Sequence, residues 1–261
     1  MSHKMLDTNV VKKQYENDQN LSIRISIHQK YSVNQQGFSN WIVEQYELPK
    51  GGNVLELGCG NGEIWKENWN RLNDCQIILS DFSQGMLAAA KANLPNQKNL
   101  SFEQIDIQSI PYEDETFDVV IANMMLHHVP DITRALSEVK RVLKPNGIFY
   151  TAVPGEQGIH NYLSDVLKEY GILQKMMGIF TIQKGYPILQ EVFPQVELRE
   201  YEDALEVTDT NDLVEYLYSM ASIVDLKEVS REVIYELFEQ QKNEQGSIHV
   251  PKEYGLLIAK K

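Results

Sequence analysis

From Asn53 onward, short apolar runs alternate with segments whose apolar residues recur every three or four positions. The runs are nearly continuous rather than alternating, which is typical of parallel strands that are covered on both faces. Strands that alternate with helical segments indicate a mostly parallel sheet. The predicted strands are Val54–Leu57, Gln76–Ser80, Phe102–Ile105, Phe117–Ala122 and Ile148–Val153.

Three helical patterns lie between these strands. The first carries two tryptophans and a leucine at i, i+4 and i+7, which form one apolar stripe. The second follows a serine N-cap, and the third begins after an aspartate and ends before a Pro-Asn-Gly turn. They cover Ile64–Leu72, Met86–Ala92 after Ser83, and a segment after Asp131 whose core face is Ile132, Ala135, Leu136, Val139 and Leu143.

Two regions lie outside this alternation. Residues 1–46 predict helices at Met5–Asn17, around Arg24–Tyr31 and at Phe38–Tyr46. After Pro154 the pattern predicts a helical segment, a strand, a second helical segment and a closing strand. These are Ile159–Phe180, Gln195–Ala204, Asn211–Gln241 and Tyr254–Ala259.

Composition limits the function classes. The 261 residues carry a formal charge of −13, and a surface this acidic repels phosphate backbones, so we expect no nucleic-acid partner. An acidic surface that only keeps the protein soluble explains the same charge. The sequence has neither an apolar run of membrane-spanning length nor a signal-peptide pattern at its start, so we expect a cytoplasmic protein and no membrane partner. Two cysteines are too few for a disulfide framework or a thiolate metal site, and no metal is predicted.

The stretch VLELGCGNG places glycines at 58, 60 and 62, directly after the first predicted strand. A turn without side chains lets a ligand approach the main chain, and the following helix presents free N–H groups. Dinucleotide sites use G-x-G-x-x-G, but here Glu63 stands at the last glycine position, which disfavours NAD or FAD. The pattern therefore predicts a nucleoside-like ligand without a pyrophosphate.

Carboxylates end the first three predicted strands, at Glu56, Asp81 and Asp106. The ends of parallel strands meet at one edge of a sheet, where open α/β proteins bind ligands. Such a rim suits a molecule with a sugar diol, an amino-bearing base and a net positive charge, and S-adenosylmethionine has all three. Two simpler interpretations remain open: Asp81 as a helix N-cap and Asp106 as the cap of a turn.

In order and spacing, four motifs of this chain resemble class I (Rossmann-like) S-adenosylmethionine-dependent methyltransferases, closest to the small-molecule "methyltransferase type 11" group. They are VLELGCGNG, LSDFSQGML, QIDIQSIPYEDETFDVVIANMMLHHV and RVLKPNGIFYTAVP. The resemblance implies a single α/β domain with a seven-stranded sheet whose last hairpin is antiparallel. It also implies a helical cap at 1–46, a cofactor-binding core at 47–154, lid segments at 155–190 and 208–245, and closing strands at 195–204 and 254–259.

The resemblance also implies which residues contact the cofactor, whose product would be S-adenosylhomocysteine. The three glycines would hold the methionine part, Asp81 the ribose, Asp106 and Ile107 the adenine, and Asn123 would face the cofactor. One departure is Ser80, where relatives often have glycine. The full predicted cofactor set is Glu56, Gly58, Cys59, Gly60, Gly62, Asp81, Phe82, Met86, Asp106, Ile107, Asn123, Tyr15, Arg24 and Tyr31, with Cys59 also interpretable as a small buried filler.

Three groups could complete the site. His127 and His128 follow the fourth strand and are the candidate general bases, with plain packing as the alternative. Arg24, His28 and Tyr31 share one helical face; Arg24 could pair with the cofactor carboxylate, and Tyr15 or Tyr31 could cover its methionine arm, although a solvated face explains the pattern equally well. Soft side chains in the lid segments would suit a hydrophobic small molecule, but packing between helices is their commoner role. These are Met176, Met177, Phe180, Tyr216, Tyr218 and Met220.

The sequence thus predicts methyl transfer to O, N, C or S of a small-molecule acceptor, driven mainly by positioning. The alternatives are an NAD-dependent oxidoreductase, a nucleic-acid methyltransferase and a binding protein without catalysis. The glycine spacing disfavours the first. The acidic charge and the Asn123-Met124-Met125-Leu126 stretch, which lacks the D/N-P-P-Y/F pattern of amino-methylating nucleic-acid enzymes, disfavour the second. The acceptor and the oligomeric state do not follow from the sequence.

Overall fold

The computed structural model describes residues 18–72, 74–170, 180–221, 226 and 229–261. Its strands are β1 (Asn53–Leu57), β2 (Gln76–Asp81), β3 (Leu100–Gln104), β4 (Phe117–Ile121), β5 (Leu143–Pro154), β6 (Gln195–Val207) and β7 (Ile248–Lys260). Its α-helices are α1 (Gln19–Tyr31), α2 (Phe38–Glu44), α3 (Glu63–Lys66), α4 (Gln84–Asn93), α5 (Ile132–Val142), α6 (Ile159–Val166), α7 (Ile182–Val192), α8 (Thr210–Tyr218) and α9 (Arg231–Glu239). No helix in these ranges combines the length and apolarity needed to cross a bilayer.

The seven strands form one sheet in the order β3-β2-β1-β4-β5-β7-β6. The first five pair in parallel, and β7 lies antiparallel between β5 and β6. This confirms the Rossmann-like α/β class and the antiparallel last hairpin. The strand order reverses between β1 and β4, and such a reversal opens a crevice at the carboxyl ends of the two strands.

Alternate residues of the central strands bury opposite faces of the sheet, which explains why their sequences are continuously apolar. Leu55 and Leu57 pack on one side with the α5 residue Leu136. Val54 packs on the other side with the fully buried Trp65. A third cluster joins α1, α6, α8 and α9 to the ends of β6 and β7, so the helical cap has a core of its own.

Two of the predicted boundaries need correction. The predicted helix Ile64–Leu72 is interrupted: α3 stops at Lys66, and a 3₁₀ turn follows at Trp69–Leu72. The Asn68 side-chain amide donates to the Ile64 carbonyl at 3.0 Å, which takes up the acceptor that a continuing helix would use. β5 starts at Leu143, but its pairing with β4 jumps from there to Ile148, so the predicted Asn-Gly turn forms a bulge.

The regions outside the core agree in type and differ in extent. The helices predicted around Arg24–Tyr31 and at Phe38–Tyr46 are α1 and α2, whereas Met5–Asn17 lies outside the described residues. The predicted segment Ile159–Phe180 is α6 followed by a 3₁₀ turn, and residues 171–179 are not described. Helix α7 was not predicted, and both closing strands are longer than expected.

Candidate functional site

The turn after β1 has a bare main chain. Its glycines at 58, 60 and 62 all have positive φ, a conformation that side chains strain. A Cβ on Gly58 would lie 2.8 Å from Cγ of Met125, and a Cβ on Gly60 would lie 3.2 Å from Cδ2 of Leu21. Both positions therefore require glycine, because the loop after β4 and helix α1 approach the turn so closely.

Asp81, at the end of β2, holds this turn in place. Its Oδ2 accepts the Gly60 N–H at 3.0 Å, and its Oδ1 accepts the Ser83 N–H at 2.8 Å. Ser83 is the N-cap of α4, so Asp81 is not the cap residue. Burial raises the pKa of the Asp81 carboxyl above its usual value, although the N–H groups that it accepts act against this. Its oxygens retain further lone pairs for a ligand.

Glu56 supports the turn from behind. Its side chain is buried and accepts the Trp65 indole N–H at 2.5 Å. Burial raises the pKa of this carboxyl to about 7. Glu56 does not line the cavity described below, so it acts through the protein interior rather than at the surface of the site.

The loop after β4 forms the neighbouring wall. Asn123 donates from Nδ2 to the Tyr46 hydroxyl at 2.7 Å and accepts the Ala152 N–H at 3.1 Å, which fixes the start of the loop. Met124 has a positive φ of 50°, and a 3₁₀ turn then covers Leu126–His128. These bends carry Met124, Met125 and both histidines to the cavity.

A cavity of about 530 Å³ lies between these loops and helix α1. Nine of the predicted site residues line it, which brings the predicted cofactor contacts and the candidate bases to one place. They are Arg24, Gly58, Cys59, Gly60, Asp81, Met86, Asn123, His127 and His128.

The remaining predicted residues do not line the cavity or are not described. Asp106 accepts the Gln108 N–H at 2.8 Å, as a carboxylate that caps a turn does, and Ile107 is buried in the core. The Tyr31 hydroxyl donates to Asp212 at 2.6 Å. Tyr15 lies outside the described residues. Those that do not line the cavity are Glu56, Gly62, Phe82, Asp106, Ile107 and Tyr31.

Two further histidines, His28 on α1 and His160 on α6, line the same cavity. Burial lowers the pKa of His28 to about 3 and that of His160 to about 4, with smaller contributions from Lys252 and Arg24 respectively. Burial also lowers the pKa of His127 well below its usual value. These three imidazoles are therefore neutral at pH 7. In the sequence, the helical face that His28 shares with Arg24 indicates His28 as a site residue, whereas no pattern indicates His160.

Strand β7 contributes Lys252 and Tyr254 to the wall. The Lys252 ammonium pairs with Asp203 on β6, and both side chains are almost fully buried. Asp203 also accepts the Ser32 hydroxyl at 2.8 Å and the Asn34 N–H at 2.9 Å, so the ion pair ties the end of α1 to the hairpin. Periodicity alone could not have revealed these contacts, because they join distant parts of the chain.

A protein family described as "Methyltransferase domain" matches residues 55–151. Residues 55–151 are thus similar to methyltransferase domains. The matched segment contains the glycine turn, Asp81 and both candidate bases, in agreement with the resemblance that the motifs gave.

Individual relatives match about half of the chain. Demethylmenaquinone methyltransferase of Staphylococcus carnosus is 29% identical over 141 residues, which cover 51% of this chain and 58% of that protein. Malonyl-[acyl-carrier protein] O-methyltransferase of Halalkalibacterium halodurans is 27% identical over 137 residues, with 50% and 51% covered. The chain thus spans about half the length of these relatives.

The fold also matches solved structures. Phosphoethanolamine N-methyltransferase 2 of Haemonchus contortus, solved with S-adenosyl-L-methionine, has a TM-score of 0.59 at 17% identity, covering all of this chain and 60% of that one. At this identity the likeness concerns the fold alone, and the substrate has to be inferred from the cavity.

Proposed function

We propose that this protein is an S-adenosylmethionine-dependent methyltransferase that acts on a small molecule enclosed in the cavity. The observation that carries the proposal is that a glycine turn, a partly buried strand-end carboxylate and titratable side chains of a helical cap line one cavity. The methyltransferase domain match supports the reaction class.

The residues of the cavity fit the cofactor. The bare main chain at Gly58 and Gly60 leaves room for the methionine part, and Asp81 offers lone pairs to a ribose diol. Asp81 also contributes negative charge beside a ligand whose net charge is positive. Asp106 accepts the Gln108 main-chain N–H through Oδ1, and both of its oxygens accept the Gln108 side-chain amide, so the predicted adenine contact would use a remaining lone pair or the main chain.

When bound, S-adenosylmethionine supplies a methyl group on a positively charged sulfur and leaves as S-adenosylhomocysteine. The protein's task is to hold the acceptor atom about 3 Å from that carbon, in line with the bond that breaks, and to exclude water. The acceptor's lone pair forms the new bond, and the electrons of the broken bond stay on sulfur. If the acceptor is a hydroxyl, its proton has to leave, and His127 and His128 line the cavity as candidate bases.

The test is calorimetric titration of the full chain with S-adenosylmethionine, for the wild type and for Asp81→Ala. A carboxylate that accepts two ribose hydroxyls contributes about 3 kcal/mol, so the variant should bind about a hundredfold more weakly. Asp114→Ala is the matched control, because Asp114 is an exposed partner of Arg141 and does not line the cavity.

Asp81 also accepts two main-chain N–H groups, so its loss could disturb the turn itself. Asp81→Asn keeps the size and one acceptor oxygen, and its near-UV circular dichroism reports whether the fold is retained. Wild-type affinity in a folded Asp81→Ala variant would contradict the ribose assignment. Absence of binding to the wild type would contradict the proposed function.

A further inference from the structure

Four of the six histidines of this chain line the cavity described above, and they come from three separate elements. His28 lies on α1, His127 and His128 follow β4, and His160 begins the first turn of α6. We call these four residues the imidazole wall. The proposed cofactor contacts use none of them, so the wall is available to the second substrate.

Helix α1 relates the imidazole wall to the glycine turn. Leu21 packs over Gly60, and His28 lies seven residues later on the same cavity-lining face. At 1.5 Å per residue, this separates the two by about 10 Å along the helix axis. His28 is therefore separated along α1 from the main-chain turn that the cofactor would contact, which leaves His28 free to face a second ligand in the same cavity.

One ring nitrogen of His28 has a partner in the protein. Its Nε2 lies 3.3 Å from the Tyr254 hydroxyl. A neutral phenol and a neutral imidazole can each donate in this contact, so Nδ1 is an acceptor in one tautomer and a donor in the other. Among the described residues Nδ1 has no hydrogen-bond partner, although it is screened from solvent.

A buried ring nitrogen without a partner is costly, and a hydroxyl group of a ligand, which both donates and accepts, would satisfy it in either tautomer. The wall around His28 is aromatic, because Tyr216 and Tyr254 also line the cavity and meet the imidazole edge-on with centroids 6.2 and 5.9 Å away. Such rings offer apolar surface to a ring-bearing ligand.

The same surroundings oppose a positive charge. Burial disfavours any charged group in the imidazole wall. Lys252 also repels a positive charge at His28, and Arg24 repels one at His160. Asp203 offsets only part of this repulsion at His28. A protonated amine placed there would meet both penalties, whereas a neutral hydroxyl would meet neither.

We propose that the methyl acceptor binds against the imidazole wall as an uncharged, ring-bearing alcohol, phenol or enol rather than as a protonated amine, and that Nδ1 of His28 forms a hydrogen bond with its hydroxyl group. This inference rests on the proposed function and names the substrate class of the same site. It assigns to His28 a role in acceptor specificity.

The test compares 2-naphthol with 2-naphthylmethylamine, which share a ring system and differ in charge at pH 7.5. Each is titrated calorimetrically into the full chain, with and without saturating S-adenosylhomocysteine. We expect 2-naphthol to bind at least tenfold more tightly. His28→Leu should weaken 2-naphthol about fivefold, as expected for one hydrogen bond, and should leave S-adenosylhomocysteine affinity unchanged.

Two variants separate recognition from folding. His28→Asn keeps a hydrogen-bonding amide near the position of Nδ1 and should recover most of the 2-naphthol affinity. His249→Leu is the matched control, because His249 is exposed and does not line the cavity. The proposal is overturned if 2-naphthol does not bind, if the amine binds as tightly, or if His28→Leu leaves 2-naphthol affinity unchanged. Failure of S-adenosylhomocysteine to bind would contradict the proposed function instead. The two outcomes can be distinguished because both naphthalene compounds are also titrated without S-adenosylhomocysteine.

Discussion

Loss of the buried ion pair between Lys252 and Asp203 should strongly lower the free energy of unfolding of this protein. The two residues face each other in the β6–β7 pairing, and their side chains are 1% and 0% exposed. Asp203→Ala would leave the ammonium without its partner, and would remove the acceptor of the Ser32 hydroxyl and the Asn34 N–H. Breaking a buried pair from one side costs about 3–5 kcal/mol. Since the Lys252 ammonium also donates to the Ser32 hydroxyl at 3.0 Å and keeps that partner in the variant, we expect about 3 kcal/mol.

Urea unfolding followed by tryptophan fluorescence measures this cost. The control is Glu197→Ala, which breaks an exposed pair with Arg199 and should cost less than about 1 kcal/mol. The double variant Asp203→Leu, Lys252→Met replaces the pair with apolar side chains and should be more stable than Asp203→Ala.

Two results would refute the reasoning. If Asp203→Ala unfolds within about 1 kcal/mol of the wild type, the ammonium is not held in a buried environment. If the double variant is no better than Asp203→Ala, the loss comes from the hydrogen bonds to residues 32 and 34 rather than from the unpaired charge.

Two further predictions concern the glycine turn. The pKa of Glu56 is about 7 in the fold against 4.5 normally, so this carboxyl alone should lower the stability by about 3 kcal/mol as pH rises from 4.5 to 7, because it ionises mainly in the unfolded chain there. Glu56→Gln keeps an acceptor for Trp65 and should abolish this loss in urea unfolding at pH 5 and 8; an unchanged pH dependence would exclude Glu56 as its source. Gly58→Ala places a methyl group against Met125 at positive φ and should weaken S-adenosylmethionine binding. Gly246 has a similar positive φ but open space around it, so Gly246→Ala should cost only about 1 kcal/mol of stability. Equal effects of the two substitutions on binding would argue against a special role for the turn.

Patterns local in sequence were sufficient to predict the sheet and one side of the site. The strands are buried on both faces, so each has a continuous apolar run, and parallel strands end at one edge, which predicts that the glycine turn and Asp81 meet. The antiparallel hairpin came from the family resemblance rather than from the pattern.

The other side of the site depends on contacts between distant segments. His160 and Tyr254 follow from how α6 and β7 pack, and no spacing rule connects them to His28. Helix α7 was missed because Gly185 and Pro187 interrupt its sequence, although Thr181 caps it and its apolar face is buried. The break after α3 depends on one side-chain amide that competes with the main chain.

Strand β7 follows the other six strands in the chain and is made after them, yet it lies inside the sheet, between β5 and β6. While a ribosome is still producing the chain, β5 therefore has an open edge and β6 has no neighbour within the sheet. The cavity is also incomplete at that stage, because Lys252 and Tyr254, which line it, belong to β7. The nascent polypeptide consequently carries its complete glycine loop long before it can enclose a second substrate.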